Sequence, residues 1–226
     1  MSPEETLESV ADRLDAVYRF PVDGTEDPIG TLVGTILSQN TNDVNRDRAH
    51  ASLLERFGGY GAVASACEED VAAAIRTAGL HRQKARTILE ALGRVIRERG
   101  RLDLGFLGEL PTEEGLLWLT ASRGVGKKTA GIVLLFCFDK PYFPVDTHIR
   151  RVCARLGLID SRGDPHDRLN AWVRPDARRL RRLHLGLIRL GREICHPRRP
   201  KCEVCPLAGI CETALCGLRK EAAGGE

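Results

Sequence analysis

The sequence predicts an all-α protein, and three features of its 226 residues support that prediction. Apolar residues recur with helical spacing along most of the chain, and no stretch alternates convincingly between apolar and polar residues as a half-buried strand does. Helix-start patterns recur as well, such as Asp27-Pro28, in which a capping residue precedes a proline at the first helical position. The apolar fraction of 42% and the charged fraction of 29% are typical of a globular chain with a core.

Start and stop signals place the individual helices in order along the chain. Asp27-Pro28 opens an apolar helix, Thr112 followed by two glutamates opens another, and Pro175-Asp176 opens the last long one. Gly58-Gly59 and Gly100 mark the ends of two earlier helices. In chain order, we expect helices to begin near residues 4, 28, 43, 65, 81, 112, 127, 147, 165 and 176.

The stretch from Ser122 to His148 carries the most chemical information, and it reads SRGVGKKTAGIVLLFCFDKPYFPVDTH. Gly124 and Gly126 allow a tight turn between the helix that begins at Thr112 and an apolar helix that begins near Lys127. The free N–H groups at the start of a helix, together with its dipole, favour an anion, and a phosphodiester is the obvious candidate. A plain helical hairpin without a ligand is an equally good interpretation of the glycines alone.

Two residues in this stretch can carry chemistry. Lys128 lies in the first turn of the apolar helix beside Lys127, so we expect its ammonium to lose a proton readily and to act as an amine nucleophile. Asp146 follows an extended Phe-Pro-Val run and precedes a helical one, so a helix N-cap explains it as well as catalysis does. The two roles are compatible, because a capping carboxylate stays ionised and can stabilise a cationic sugar.

Charge and hydropathy narrow the class of protein. Residues 1–110 carry 13 Lys and Arg and 18 Asp and Glu, which leaves 21 and 13 of the totals of 34 and 31 for residues 111–226. The basic second part suits a polyanion, and a solvated basic surface explains it equally well. No run of about 18 apolar residues is present and the N-terminus is acidic, so we expect no transmembrane helix, no membrane partner and no secretory signal.

The eight cysteines fall into two groups and one remainder. Cys67, Cys137 and Cys153 lie within apolar helical patterns and are predicted to pack in the core. The candidate metal ligands share the spacing C-x6-C-x2-C-x5-C and are Cys195, Cys202, Cys205 and Cys211. Disulfides are disfavoured without secretion, whereas four thiolates suit either zinc or an iron–sulfur cluster, and the spacing leaves both open. Cys216 falls outside the pattern and is interpreted as a free thiol.

The motifs GVGKKTA and VDTH together resemble the endonuclease III family of DNA glycosylases, within the helix-hairpin-helix superfamily. The resemblance extends from about Pro21 to Cys211. It implies that Lys128 is the nucleophile, that Asp146 is the second catalytic residue, and that the four spaced cysteines hold one four-iron four-sulfur (4Fe-4S) cluster. One departure is clear, because the family usually has Leu-Pro before the first hairpin glycine and this chain has Ser122-Arg123.

The resemblance also implies which residues contact DNA. In this family the segment after the second helix enters the duplex, which assigns Gln39 and Asn40 to the space left by an extruded base. The loop before the long basic helix supplies an apolar wedge, which assigns Leu80, with His81 beside it. Phosphate contacts are assigned to the hairpin turn and to the basic loop between the first two spaced cysteines, at Gly124, Gly126, Lys127, Arg198, Arg199 and Lys201.

The implied fold is an all-α, two-lobed helix-hairpin-helix glycosylase fold with an iron–sulfur cluster loop. One domain, residues 21–134, is a helical bundle that carries the hairpin at about 113–138. The other combines residues 1–20 and 135–226 and holds the cluster loop, residues 195–211. The implied protein is an intracellular monomer, cytoplasmic and associated with the nucleoid, that acts on double-stranded DNA with a damaged base or an abasic site. It would remove oxidised pyrimidines as an N-glycosylase and cleave the strand by β-elimination as an AP lyase.

Three alternatives stay open on the sequence. A monofunctional mismatch glycosylase would share the fold, but such relatives generally lack a lysine at the position of Lys128. A non-catalytic hairpin module with a structural metal would bind DNA without forming a covalent adduct. A redox protein built around the cluster would leave the Gly-Val-Gly hairpin and the VDTH motif unexplained.

Overall fold

The computed structural model describes residues 1–22, 25–160 and 162–216 of the chain. No β-strand occurs within these ranges, which confirms the predicted all-α class. The helices are α1 (Pro3–Val17), α2 (Pro28–Leu37), α3 (Asp43–Phe57), α4 (Tyr60–Ala64), α5 (Glu68–Ala74), α6 (His81–Arg99), α7 (Thr112–Thr120), α8 (Lys127–Phe138), α9 (Thr147–Arg155), α10 (Pro165–Asn170) and α11 (Ala177–Glu193). Short 3-10 turns lie at Arg76–Ala78, Gly105–Gly108, Cys202–Val204 and Ala208–Ile210, and residues 212–216 are helical. In the described ranges, no helix has both the length and the apolar character needed to span a bilayer.

Aspartate side chains define the starts of several helices. Asp27, Asp146, Asp164 and Asp176 each accept a hydrogen bond from a backbone N–H in the first turn of the following helix, at 2.7 to 3.1 Å. Proline occupies the first turn of α2 and of α10, where its missing N–H costs nothing. Each such cap contributes about 1 kcal/mol, so local sequence alone specifies these boundaries.

The chain divides into two compact units, Thr25–Lys140 and Met1–Gly24 with Pro141–Glu226. The predicted boundaries at residues 21 and 135 fall a few residues earlier, and the second of them would cut α8 in two. α8 stays whole because its apolar residues up to Cys137 belong to the core of the Thr25–Lys140 unit.

The Thr25–Lys140 unit has one continuous apolar core. α2 packs against α8, α3 and α6, while α5 packs against α6 and α7 against α8. Val33 and Ile36 on α2, Ile88 and Leu92 on α6, and Leu134 on α8 are completely buried. A fully buried aliphatic side chain of this kind contributes about 1.5–3 kcal/mol. The end of α2 and the starts of α6 and α8 are therefore anchored to the same core.

In the other unit, α11 packs against both α1 and α9. Two arginines of α11 pair with acidic residues of α1. Arg179 lies 2.8 Å from Glu8 and from Asp12, and Arg182 lies 3.0 Å from Asp15. Part of the positive charge of residues 111–226 is thus paired within the unit, so less of it is available to a polyanion than the sequence count indicates.

Candidate active site and metal centre

α7 and α8 form the predicted hairpin, and residues 121–126 join them. Gly124 has a φ of +83°, and a Cβ at this position would lie 2.4 Å from Thr87 Oγ1 on α6, so the turn requires glycine there. Gly126 is the N-cap of α8 without a side-chain cap, and a Cβ at this position would meet nothing within 4 Å. The amide end of α8 is therefore approachable beside Gly126, which is the arrangement in which helix N-termini bind phosphate.

A polar network holds the entry to this turn, where the chain has Ser122-Arg123. Ser122 is buried, and its Oγ accepts a hydrogen bond from Arg94 Nη1 at 3.2 Å. The Arg94 guanidinium also lies 4.2 Å from the centre of the Trp118 ring and pairs with Glu98 at 2.6 Å. Trp118 Nε1 donates to the same carboxylate at 2.7 Å. These contacts fix the entry in the absence of the rigid Leu-Pro, while Arg123 is exposed at the surface.

Lys128 is the second residue of α8, and its ammonium lies near the end of α2. Its side chain is half-buried, and Nζ donates to Ser38 Oγ at 3.5 Å. Ser38 Oγ in turn donates to Thr35 O at 2.7 Å. The neighbouring Gln39 donates through Nε2 to Gly124 O at 3.2 Å. Three of the predicted site residues, Lys128, Gln39 and Gly124, are thus brought together at one end of the Thr25–Lys140 unit.

Asn40 and Leu80, the residues predicted to enter the duplex, are exposed at the tips of two loops of this unit. Both have left-handed backbone conformations, with φ of +50° and +46°, which are uncommon for residues other than glycine. The loops are in contact, because Thr41 Oγ1 donates a hydrogen bond to Ala78 O. His81 is half-buried at the first position of α6, directly after Leu80. The predicted filling residue and the predicted wedge therefore lie on loops that support each other.

Asp146 lies in the other unit as the N-cap of α9, and its Oδ1 accepts a hydrogen bond from Ile149 N at 2.8 Å. The capping role is confirmed, and the catalytic role stays a prediction. Cys153, further along the same helix, is completely buried, and burial together with the charge of Asp146 raises the pKa of its thiol to about 12. The thiol therefore stays neutral and packs as a small apolar group.

The remaining cysteines outside the candidate metal loop differ in environment. Cys137 is buried, as predicted, and Cys216 is an exposed free thiol, also as predicted. The prediction is wrong for Cys67, which is exposed at the N-cap of α5 with its Sγ 3.1 Å from Asp70 Oδ2. Its position before an acidic first turn, not the apolar residues that follow, determines its exposure.

α9 also holds the cysteine loop. Arg151 Nε donates to Cys195 O at 2.9 Å, one turn before the end of the helix. Arg155 Nη1 donates to Cys195 Sγ at 3.1 Å and to His196 O at 2.7 Å, while Arg155 O accepts from Cys211 Sγ at 3.2 Å. One helix thus begins at the candidate carboxylate and ends at two of the candidate metal ligands.

The four spaced cysteines are free thiols, and all are partly buried. Burial raises the pKa of the Cys202 and Cys205 thiols, and the charges of Cys195 and Cys211 raise both further. The four sulfurs therefore share one environment, and bound metal would offset their mutual repulsion. Within the described ranges, no three His, Cys, Asp or Glu residues are arranged to hold a single metal ion. Four partly buried thiols in one short loop are a donor set that an iron–sulfur cluster takes.

The basic residues of the cysteine loop lie on its surface. Arg198, Arg199 and Lys201 are exposed, and Arg199 has a left-handed backbone with φ of +51°. Lys201 N donates to Ile194 O at 3.0 Å, which closes the loop at its base. The three cationic side chains are thus presented by the same loop that carries the first two cysteines.

Two polar residues with many contacts were not among the predicted ones. Lys84 is buried on α6, four residues before Ile88, so the apolar period of that helix would have indicated its burial. Arg155 contacts a cysteine 40 positions away, which no local pattern indicates.

Comparison with known proteins identifies the family. Residues 33–174 match the family model of the HhH-GPD superfamily base excision DNA repair proteins, and residues 195–211 match the iron–sulfur binding domain of endonuclease III. The chain is 36% identical over 201 residues to endonuclease III of Thermotoga maritima, which covers 88% of this chain and 89% of that protein. It is 35% identical over 211 residues to endonuclease III of Sulfolobus acidocaldarius, which covers 92% of both chains.

Solved structures agree with these matches at the level of the fold. A non-covalent endonuclease III–DNA complex superposes on this chain with a TM-score of 0.79 at 24% identity, covering 97% of this chain and 100% of that one. The iron–sulfur match includes all four spaced cysteines, so the chain has an iron–sulfur binding domain. The hairpin, the helical core and the extent of these matches lead to one conclusion: the chain belongs to the endonuclease III family of HhH-GPD base excision repair DNA glycosylases.

Proposed function

We propose that this protein is a bifunctional DNA glycosylase and AP lyase that removes oxidised pyrimidines from double-stranded DNA. The observation that carries the proposal is Lys128, a half-buried lysine directly behind the hairpin turn, with Nζ 3.5 Å from Ser38 Oγ. An amine at this position can form the covalent intermediate that a lyase needs. Two relatives that the chain matches over most of their length are named endonuclease III, which supports a strand-cleaving activity.

The proposed reaction has three steps. First, the damaged nucleotide rotates out of the base stack. The neutral amine of Lys128 then attacks the sugar C1′, and the base leaves with the electron pair of the glycosidic bond and takes up a proton. The Asp146 carboxylate stabilises the positive charge that develops on the sugar and helps to remove a proton from the amine. The sugar ring opens to a Schiff base, and loss of a C2′ proton expels the 3′ phosphate.

We assign DNA contacts in each unit separately. In the Thr25–Lys140 unit, the hairpin amides would hold a backbone phosphate, Gln39 and Asn40 would fill the space of the extruded base, and Leu80 would part the neighbouring bases. The other proposed contacts, to the backbone or beside the wedge, come from Lys127, His81, Arg198, Arg199 and Lys201. We infer that one copy of the chain acts on one lesion, since these assignments need no second copy.

We propose that the cluster has the 4Fe-4S form and that Cys195, Cys202, Cys205 and Cys211 bind its four irons. When bound, the cluster supplies a rigid centre for the loop that presents the basic residues and takes no part in the steps at the sugar. Iron and acid-labile sulfide analysis should find about four of each per chain in a yellow-brown preparation. A colourless, active preparation that contains zinc would contradict this assignment.

Borohydride trapping on a duplex with one abasic site tests the nucleophile. Wild-type protein and Lys127→Gln should form a covalent adduct, because Lys127 is assigned to phosphate binding. Lys128→Gln should bind the same duplex but form no adduct and leave the strand intact. Normal cleavage by Lys128→Gln would assign the nucleophile to another amine and refute the proposal.

A panel of duplexes, each with one defined lesion, tests the substrate class. Oxidised pyrimidines should be excised fastest. Excision of a mismatched base without a trapped adduct would instead identify a monofunctional glycosylase.

A further inference from the structure

Lys84 is a buried lysine that takes no part in the proposed steps at the sugar. Its side chain is 2% exposed, and burial lowers its pKa. Nζ donates to Leu37 O and to Ala78 O, both at 2.8 Å, and lies 3.4 Å from Thr41 Oγ1. Within the described part of the chain, these carbonyl and hydroxyl oxygens are its hydrogen-bond partners, and no carboxylate forms an ion pair with it.

Packing alone does not explain the ammonium. Burying a charged group is costly unless its hydrogen bonds are satisfied, and an apolar side chain of the same length would fill the volume without that cost. The three oxygens come from two different places in the chain. Leu37 O belongs to the last turn of α2, whose carbonyls lack helical partners and favour a cation. Ala78 O ends the 3-10 turn that precedes α6.

Each of these places leads directly into one of the two exposed tips. Asn40 follows Leu37 by three residues, and Leu80 follows Ala78 by two. Both tips have left-handed backbones, a conformation that persists only where the surrounding structure imposes it. Thr41 adds a second connection through its hydrogen bond to Ala78 O. The ammonium of Lys84 therefore ties the bases of both loops to one point in the core.

We propose that Lys84 is a positioning residue that fixes the spacing between Asn40 and Leu80. Asn40 can then fill the space of the extruded base while Leu80 separates the neighbouring bases. The inference rests on the proposed function, because it takes the DNA roles of these two residues from there. It predicts that replacing Lys84 slows base excision much more than it slows cleavage at an abasic site. Extraction of a stacked base requires both loop tips at the correct spacing. Cleavage at an existing abasic site does not, because no base remains to be extracted.

The test compares Lys84→Met with a matched control, Lys140→Met. Lys140 lies in the same unit and also donates to a backbone carbonyl, Leu110 O, at 2.7 Å, but it contacts neither loop. Single-turnover excision of an oxidised pyrimidine should slow about tenfold or more in Lys84→Met, because extracting a base costs a few kcal/mol. Cleavage of a preformed abasic site should change by less than about threefold on the same scale. Lys140→Met should behave as wild type in both assays.

A fluorescent base measures the positioning directly. With 2-aminopurine beside a non-cleavable abasic analogue, wild-type binding should raise the fluorescence as the stack opens. Lys84→Met should bind at saturating concentration with a smaller rise. Thr41→Val removes one connection between the loops and leaves no unpaired charge in the core. It should show a smaller effect of the same kind, and it replaces Lys84→Met as the test variant if Lys84→Met does not fold.

A double-mutant cycle with Leu80→Ala separates the possible failures. If Lys84 acts by placing Leu80, Lys84→Met should slow excision little further in the Leu80→Ala background. If the double variant slows excision by the product of the two single factors, Lys84 does not act through Leu80, and its proposed role is overturned. Equal slowing of excision and of abasic-site cleavage by Lys84→Met would overturn that role as well. Normal excision by Leu80→Ala would overturn the wedge and the role of Lys84 together. The glycosylase proposal would then still depend only on the trapping result with Lys128→Gln.

Discussion

Gly124 and Gly126 belong to one turn but have different physical roles, which alanine substitutions should separate. An alanine at Gly124 would adopt φ +83°, and its Cβ would lie 2.4 Å and 2.9 Å from Oγ1 and Cγ2 of Thr87. Thr87 is buried, so it cannot move aside freely. The left-handed backbone costs about 1–2 kcal/mol and the overpacking about 1–3 kcal/mol. We therefore expect Gly124→Ala to lower the free energy of unfolding by about 2–5 kcal/mol.

Gly126 should respond in the opposite way. Its φ of −92° is ordinary for alanine, and the new Cβ would meet no atom within 4 Å. We expect Gly126→Ala to change the free energy of unfolding by less than about 1 kcal/mol. The methyl group would, however, occupy the space through which a phosphate reaches the amides of α8. The same substitution should therefore weaken duplex binding about tenfold, or about 1.4 kcal/mol.

Two measurements decide between these roles. Urea unfolding followed by circular dichroism gives the stability of each variant, and fluorescence anisotropy with a duplex containing a non-cleavable abasic analogue gives its affinity. Adding Thr87→Ala to Gly124→Ala removes both clashing atoms and should restore part of the lost stability, leaving the cost of the backbone. Equal losses of stability in the two glycine variants, or normal DNA binding by Gly126→Ala, would refute the reasoning.

Three further predictions concern other parts of the chain. Arg155→Met should release iron faster than wild type, because the variant loses the hydrogen bond to Cys195 Sγ. Iron content and visible absorbance over time measure the release, and equal rates in the two proteins would contradict the prediction. Burial lowers the pKa of His50, so the unfolded chain binds more protons and the free energy of unfolding should fall as the pH drops below about 6.5. His50→Phe should flatten that dependence in urea titrations on either side of this pH. Arg198→Ala and Arg199→Ala should each lower the slope of log Kd against log salt by about 0.9, and an unchanged slope would exclude a phosphate contact.

Local patterns predicted much of this fold because several of its boundaries are set locally. Asp27 and Asp146 cap the helices that follow them through hydrogen bonds within three residues, so a short window of sequence contains both partners. Gly126 is also specified locally, because it is the N-cap of α8 and the helix begins at the next residue. At Gly124 the sequence indicated the conformation but not the neighbour, since Thr87 approaches from another helix.

The features that the sequence did not indicate depend on contacts between distant segments. The extent of the Thr25–Lys140 unit follows from the burial of α8 in its core, so the predicted boundary after residue 134 was too early. Cys67 was assigned to the core from its apolar neighbours, yet it lies at the N-cap of α5, where the chain enters the helix from the surface. The partners of Arg155 come from the cysteine loop, so only the folded chain defines its role.

The short segment at the end of α2 contacts the elements that carry the residues proposed for phosphate binding, base extraction and nucleophilic attack. Ser38 contacts Lys128, Gln39 contacts the hairpin carbonyl of Gly124, and Thr41 contacts the wedge loop. Three of the four residues 38–41 thus contact the start of α8, the hairpin turn and the loop before α6, and the segment itself is anchored in the core through α2. Because packed cores move little, a phosphate bound at the turn would lie at a fixed distance from the amine of Lys128 and from the loop that carries Leu80.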